Sequence, residues 1–197
     1  AIYHTVNPRL FPDQIAWILN HAGSRVLMLD LTFIPLIQQL APKLEHIERF
    51  IILTDGAHLP ETGLRNAVAY EDWLAEADGD FAWASFDEKT AAGLCYTSGT
   101  TGKPKGAMIS HSNLMYSVSA GLRQAPVYDT DDQLCFLPLC HILERVFSVN
   151  SPIAAASTIN FAESPETIFD NLQEVSPQTF VAVPRLWEKI YSQVSIR

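Results

Sequence analysis

The pattern of apolar and polar residues in the first part of the chain predicts helices that alternate with short buried strands. Residues 13–22 carry apolar side chains at helical spacing, and Gly23 ends that pattern. Residues 25–30 (RVLMLD) and 50–54 (FIILT) are short apolar runs, typical of buried parallel strands, and residues 33–40 repeat the helical spacing. This alternation indicates an α/β fold of mainly parallel sheet layers flanked by helices.

Polar connections occupy much of the stretch that follows. Residues 55–65 are rich in Gly, Pro and polar side chains and predict a surface loop, whereas residues 70–77 predict a short helix. The acidic residues 78–89 predict a second connection, under which we expect Trp83 and Phe86 to pack. Its acids lack the spacing and central glycine of a calcium loop, so we expect them to be solvated.

The second half of the chain continues the alternation of helices and strands. Its expected elements are a helix capped by residues 111–113, strands at 133–137 and within 152–161, a helix capped by Ser164, a strand at 179–183 and a helix that starts at Pro184. No internal repeat or clear linker divides the sequence. We therefore expect residues 1–197 to form a single domain.

One polar stretch lies between apolar runs at 91–95 and 107–109. Its sequence is Tyr96-Thr97-Ser98-Gly99-Thr100-Thr101-Gly102-Lys103-Pro104-Lys105-Gly106. Glycines let backbone N–H groups converge on an anion, hydroxyl groups donate hydrogen bonds to phosphate oxygens, and lysines add positive charge. Residues 96–106 therefore predict a polyphosphate-binding loop, named the phosphate loop below.

Two other interpretations of the phosphate loop are weaker. A flexible Gly/Ser/Thr linker would need neither the lysines nor the flanking apolar strands. The Walker A pattern G-x-x-x-x-G-K-[ST] fails on spacing, because Pro104 stands five residues after Gly99. Lys103 is likewise followed by that proline instead of by Ser or Thr.

Composition and charge narrow the classes of partner. The 197 residues are 48% hydrophobic and 18% charged, with a net charge of -9, as in a globular domain. The negative charge argues against nucleic acid and against an electrostatic membrane anchor, and no apolar run approaches the roughly 18 residues of a membrane span. We expect a cytoplasmic protein. Cys95, Cys135 and Cys140 lie among apolar residues without C-x-x-C spacing, which predicts buried, reduced thiols.

The phosphate loop, read as YTSGTTGKPKG, resembles the phosphate-binding signature of the adenylate-forming (AMP-binding) superfamily, which includes acyl-CoA synthetases and luciferases. The resemblance implies part of the large N-terminal domain of an acyl-CoA synthetase-like fold. The residues that it implies as ligands of the ATP phosphates are Thr97, Ser98, Gly99, Thr100, Thr101, Gly102 and Lys105. It also implies a catalytic role for Lys105 and a contact of Thr97 with Mg²⁺, whereas Lys103 is expected to be solvated.

A second segment, residues 137–145 (LPLCHILER), resembles the L-P-L-x-H-x-x-E-R stretch of long-chain fatty acyl-CoA synthetases. A lone histidine between apolar residues is more often structural. The resemblance nevertheless implies that His141 lies near the acyl carboxylate and the adenylate as a second catalytic residue. Glu144 and Arg145 are interpreted as structural.

The function that the resemblance implies is the activation of a fatty acid with ATP, Mg²⁺ and coenzyme A. Residues 183–191 (VPRLWEKIY) are similar to a long-chain segment that lines the acyl and nucleotide region, whereas residues 1–94 are similar to medium-chain ligases, so the acyl chain length stays open. The adenine, ribose and magnesium-glutamate motifs of the family are absent from the sequence. We therefore expect an N-terminal fragment that is inactive alone and binds nucleotide phosphates weakly at most.

Two alternatives to a ligase remain at this point. A truncated ligase fold can act as a noncatalytic nucleotide-binding or interaction scaffold, and such a scaffold would self-associate through an exposed apolar face. A nucleotide hydrolase built on the same loop would turn over ATP without any fatty acid.

Overall fold

The computed structural model describes residues 1–97 and 103–195, which form two compact units, Ala1–Ile109 and Ser110–Arg197. The strands are β1 Tyr3–His4, β2 Val26–Leu29, β3 Arg49–Ile52, β4 Ala67–Ala69, β5 Ala91–Thr97, β6 Lys105–Ser110, β7 Asp132–Cys135 and β8 Thr158–Phe161. The helices are α1 Pro12–His21, α2 Ile34–Leu40, α3 Tyr70–Ala75, α4 His111–Gln124, α5 Ile142–Arg145, α6 Ser151–Ala155, α7 Ile168–Val175 and α8 Pro184–Ser195. None of the described helices is long and apolar enough to cross a membrane.

The core of the first unit lies against the parallel sheet β2-β3-β4. Helix α1 contributes Ile15 and Leu19 to this core, and α2 contributes Ile37 and Leu40. Ile52 at the end of β3 is fully buried. The helices and strands expected from the apolar spacing are thus confirmed, with β4 as a third strand that the sequence pattern did not predict.

A second sheet of this unit, ordered β1-β5-β6, supports the phosphate loop. Strand β1 pairs in parallel with β5, so that Tyr3 lies opposite Gly93 and His4 opposite Leu94. Ala92 and Cys95 are buried in β5. Strand β5, which ends at Thr97, therefore places the first residues of the phosphate loop at the end of a buried strand.

The second unit is built on the parallel pair β7-β8. Helix α4 begins with a capping box in which the Ser110 side chain accepts a hydrogen bond from the Asn113 N–H. Leu114 and Val118 of α4 are buried, and the strand expected at 133–137 is confirmed as β7. A π-helical turn, Val146–Asn150, joins α5 to α6.

Three details of the expected pattern are wrong. Trp83 and Phe86 are 89% and 57% exposed, because Trp83 packs edge to face on Phe81 at 5.0 Å instead of beneath the connection. The strand expected within 152–161 is confirmed as β8, which follows α6; that helix ends where Ala156 adopts a left-handed conformation.

The other two differences concern the end of the chain. The Ser164 hydroxyl accepts hydrogen bonds from the N–H groups of Glu166 and Thr167 in a turn, so α7 begins later than expected, with Thr167 as its N-cap. Residues 179–183 form a single bridge, Thr179 to Gln133, instead of a strand. The helix expected from Pro184 is confirmed as α8.

Candidate phosphate-binding site

Two neighbouring strands present the ends of the phosphate loop. Thr97 is the last residue of β5 and Lys105 the first residue of β6, and both side chains are exposed. A hydroxyl and an ammonium group thus flank the loop where an anion can approach from solvent. Ser98, Gly99, Thr100, Thr101 and Gly102, which the sequence implies as further phosphate ligands, lie outside the described residues.

Lys103 has a contact that the sequence did not predict. It is exposed, as expected of a solvated side chain, but its Nζ lies 5.6 Å from the centroid of the Trp17 ring. A cation over a tryptophan face at this distance is attracted by the ring, by about 0.5–1 kcal/mol at an exposed site. The two lysines of the loop therefore have different surroundings. Lys103 contacts Trp17 of α1, whereas Lys105 is an exposed residue at the start of β6.

Tyr96, the residue before Thr97, is held by a side chain from α1. Its Oη lies 2.7 Å from His21 Nδ1, and burial raises the pKa of the Tyr96 phenol above its ordinary value. The phenol is therefore neutral at physiological pH. The sequence alone did not identify His21 and Trp17 as residues near the site. Their spacing of four residues places them on one helix face, but nothing in the sequence shows that this face meets Tyr96, the first residue of the signature.

Thr97 is the one residue that the resemblance implies as a ligand of Mg²⁺. Within the part of the chain that the structure describes, no group of three or more His, Cys, Asp or Glu side chains is arranged to hold a metal ion. A hydroxyl is a weak Mg²⁺ ligand that normally acts together with a carboxylate and phosphate oxygens. The chemistry of the loop therefore fits a metal ion that arrives with phosphate, whereas a metal site made of protein groups alone is not found among these residues.

His141, in the second unit, caps the one-turn helix α5. Its backbone N–H donates to the Pro138 carbonyl at 3.0 Å, and its own carbonyl accepts from the Arg145 N–H at 3.2 Å. The residue is exposed and has extended backbone angles. The backbone is thus fixed by two hydrogen bonds while the imidazole is open to a ligand.

Glu144 and Arg145 are only 3% and 1% exposed. Ser148 donates a hydrogen bond to Glu144 Oε1 at 2.6 Å, and the Arg145 carbonyl accepts one from Asn150 at 3.0 Å. Burial, together with a hydrogen bond to Glu144, raises the pKa of the Cys135 thiol to about 12. These contacts support the structural interpretation of Glu144 and Arg145, because they join α5 to β7 and to the turn that follows.

Helix α8 carries the third segment that the sequence singled out. Trp187 meets the Phe180 ring edge to face at 5.6 Å, and Phe180 stacks on Phe136 at 5.4 Å. Lys189 Nζ lies 4.9 Å from the centroid of the Phe169 ring. The apolar side of α8 is therefore anchored by aromatic contacts within the second unit.

Comparison with known proteins identifies the family. The model of the family described as "AMP-binding enzyme" matches residues 1–196. The chain is 38% identical to 3-methylmercaptopropionyl-CoA ligase of Ruegeria pomeroyi over 143 residues, 72% of this chain and 26% of that protein. It is 37% identical to a long-chain-fatty-acid–CoA ligase of Thermus thermophilus over 144 residues, 72% of this chain and 25% of that protein. The chain thus spans about a quarter of the length of these relatives.

The fold agrees with this sequence similarity. A crystal structure of a long-chain-fatty-acid–CoA ligase from Archaeoglobus fulgidus superposes with a TM-score of 0.80 at 20% identity, covering 98% of this chain and 37% of that one. The likeness confirms the acyl-CoA synthetase-like α/β fold expected from the sequence. With a family match over nearly its whole length and relatives above 30% identity, the chain belongs to the AMP-binding enzyme family.

Proposed function

We propose that this chain carries the ATP-phosphate site of an enzyme that converts a fatty acid to its coenzyme A thioester. The observation that carries the proposal is the uninterrupted signature at residues 96–106, in which Thr97 ends one strand and Lys105 begins the neighbouring strand. Membership of the AMP-binding family and the acyl-CoA ligases among its relatives support it.

The proposed reaction has two steps. The fatty-acid carboxylate attacks the α-phosphorus of ATP; a bond between carboxylate oxygen and phosphorus forms as the α–β anhydride bond breaks, and pyrophosphate leaves. The thiol of coenzyme A then attacks the acyl carbon; a carbon–sulfur bond forms, AMP leaves and the thiol proton is released. Because the first step brings anionic groups together, its rate depends on charge neutralisation and positioning.

Each candidate residue has a role in this proposal. The Lys105 ammonium binds a phosphate oxygen and offsets the negative charge that develops on the leaving pyrophosphate. The hydroxyl groups from Thr97 to Thr101 and the N–H groups of the glycines donate further hydrogen bonds. The Thr97 hydroxyl would help to hold Mg²⁺ that arrives with ATP, and the metal ion would neutralise further phosphate charge. His141 is assigned to the acyl carboxylate and the adenylate.

Acid-dependent release of pyrophosphate tests the ligase proposal. The acids to test are 3-methylmercaptopropionate and saturated fatty acids of medium and long chain. The variant Lys105→Ala is compared with the control Lys89→Ala, which changes an exposed lysine outside the loop. In a ligase that contains these residues we expect release that needs an acid and falls at least tenfold in Lys105→Ala, as for the loss of a charge-assisted hydrogen bond. Residues 1–197 alone are expected to release none. Release without any acid would favour a nucleotide hydrolase.

A noncatalytic scaffold is the second candidate function. It is favoured by Phe81 and Trp83, which are 70% and 89% exposed and so present apolar surface in the first unit. A scaffold of this kind would bind nucleotide, release no pyrophosphate with any acid and self-associate in light scattering. A clean monomer that releases pyrophosphate would contradict it.

A further inference from the structure

Four rings from three elements meet beside the phosphate loop. Trp17 and His21 of α1 stack with ring centroids 4.5 Å apart, and Tyr96 of β5 meets them edge on at 6.3 and 5.9 Å. His4 of β1 completes the group, 4.9 Å from Tyr96. We name Trp17, His21 and Tyr96 the aromatic anchor. His21 and Tyr96 are 75 residues apart in the sequence, so only folding brings the rings of α1 and β5 together.

The anchor holds the residues on the N-terminal side of the loop. Tyr96 directly precedes Thr97, and its Oη makes the 2.7 Å hydrogen bond to His21 Nδ1. Its ring is half-buried, packed between His4 and the stacked pair of α1. Any movement of Thr97 away from the end of β5 would pull on this hydrogen bond and these ring contacts.

The same anchor contacts the C-terminal side of the loop. Lys103 Nζ lies 5.6 Å from the centroid of the Trp17 ring. A Cβ built on Gly106 would stand only 2.9 Å from Tyr96 Cζ, so β6 passes directly against the Tyr96 ring. Both ends of a loop rich in glycine and hydroxyl residues therefore contact one group of rings.

Core packing alone does not account for these side chains. The hydrophobic core of the first unit takes Ile15, Ala16 and Leu19 from α1, whereas Trp17 is half-buried and His21 is exposed. Helix α1 therefore has two functions, since one set of its residues fills the core and another contacts the flanks of the loop.

We propose that Trp17, His21 and Tyr96 are positioning residues for the ATP-phosphate site, and that they act by fixing both ends of the phosphate loop before nucleotide arrives. This inference rests on the proposed function. Chain entropy lost on binding lowers affinity, so a loop whose ends are already fixed binds its anion more tightly than one that must first be ordered.

Amide hydrogen exchange of the nucleotide-free chain tests the anchor directly. Tyr96→Phe removes one hydroxyl and keeps the ring, and Trp17→Leu removes the stacking surface and the contact with Lys103. Their matched controls are Tyr70→Phe and Trp73→Leu, half-buried residues of α3 in the same unit. We expect both anchor variants to speed exchange about threefold to tenfold at Tyr96, Thr97, Lys103 and Lys105, as for the loss of one hydrogen bond or ring contact.

The strand amides of Phe50 to Ile52 should keep their wild-type exchange in all variants, because loss of the anchor loosens the loop flanks without unfolding the unit. The affinity for MgATP should fall about threefold to tenfold in Tyr96→Phe and Trp17→Leu. Lys105→Ala should also lower the affinity, but amide exchange at Tyr96, Thr97 and Lys103 should stay as in the wild type. These two readouts separate positioning from direct contact with phosphate.

The outcomes also separate the anchor from the proposed function. Flank exchange that is the same in Tyr96→Phe as in Tyr70→Phe would overturn the anchor, whatever nucleotide binds. Faster exchange at Phe50 to Ile52 as well would also overturn it, because the ring group would then be ordinary core. Faster flank exchange in a chain that binds no MgATP would keep the fixed loop ends, but would overturn the ATP site that they were proposed to serve.

Discussion

At the scale of single residues, Cys135 is a case in which burial decides chemistry. The side chain is 5% exposed at the end of β7, and burial first, then the hydrogen bond to Glu144, raise the pKa of its thiol to about 12. A thiol that keeps its proton is a poor nucleophile. Cys135 is therefore a structural residue whose thiol donates a hydrogen bond to the buried Glu144 carboxylate. This agrees with the buried, reduced thiol expected from the sequence.

This raised pKa predicts a pH dependence of stability. The ordinary pKa of the thiol is 9.0 and its folded pKa is about 12, so between these pH values the folded chain keeps a proton that the unfolded chain has lost. The stabilisation is complete below pH 9 and is lost as the pH rises toward 12, by roughly 1.4 kcal/mol per pH unit.

Urea unfolding of the wild type and Cys135→Ala from pH 8 to 10.5 measures this loss. Above pH 9 the free energy of unfolding should fall more steeply in the wild type than in the variant, because other titrating groups are common to both chains. Curves that stay parallel over this range would show that the Cys135 pKa is not raised.

At the scale of elements, the close packing of β6 on the Tyr96 ring predicts the effect of a single methyl group. Gly106→Ala places a Cβ 2.9 Å from Tyr96 Cζ and should lower the free energy of unfolding by about 1–3 kcal/mol, as for other overpacked sites. In a Tyr96→Ala background the ring is gone, and most of that cost should disappear.

A double-mutant cycle measured by urea unfolding checks this coupling. Gly121→Ala in α4 is a useful control, since a Cβ there meets nothing within 4 Å, and it should stabilise the chain by about 0.5–1 kcal/mol through helix propensity. Additive costs for Gly106→Ala and Tyr96→Ala would contradict the packing of β6 on this ring.

Elements with a long apolar pattern were predictable, whereas elements that depend on a distant partner were not. Helix α1 and strands β2 and β3 follow from spacing alone. The two-residue strand β1 exists because it pairs with β5, which no local pattern reveals. Residues 179–183 have the composition of a strand, but Phe180 packs on Phe136 and Trp187 instead of continuing a ladder beside β7.

The candidate site divides in the same way. The phosphate loop could be proposed from sequence because its hydroxyls, glycines and lysines lie in one run of residues. The aromatic anchor was not, because His21 and Tyr96 are 75 residues apart and only the packing of α1 beside β5 joins them. Sequence thus indicates the groups proposed to bind the ligand, and structure adds the groups proposed to hold them in place.

At the scale of the whole molecule, the positive charge of the loop lysines contrasts with the negative net charge of the chain. The net charge is -9, so the chain as a whole repels an anion such as ATP, and affinity must come from local contacts. Lys105→Ala and Lys89→Ala each remove one positive charge and change the net charge equally. A difference between the two variants therefore reports the contact of Lys105 and not the overall field.

The affinity of the chain for MgATP, measured by equilibrium dialysis for the wild type, Lys105→Ala and Lys89→Ala, tests whether the phosphate loop binds ATP through Lys105. We expect Lys105→Ala to bind at least tenfold more weakly, the loss of one charge-assisted hydrogen bond, and Lys89→Ala to bind as the wild type does. Equal affinity in all three chains would show that the phosphate loop does not hold ATP through Lys105.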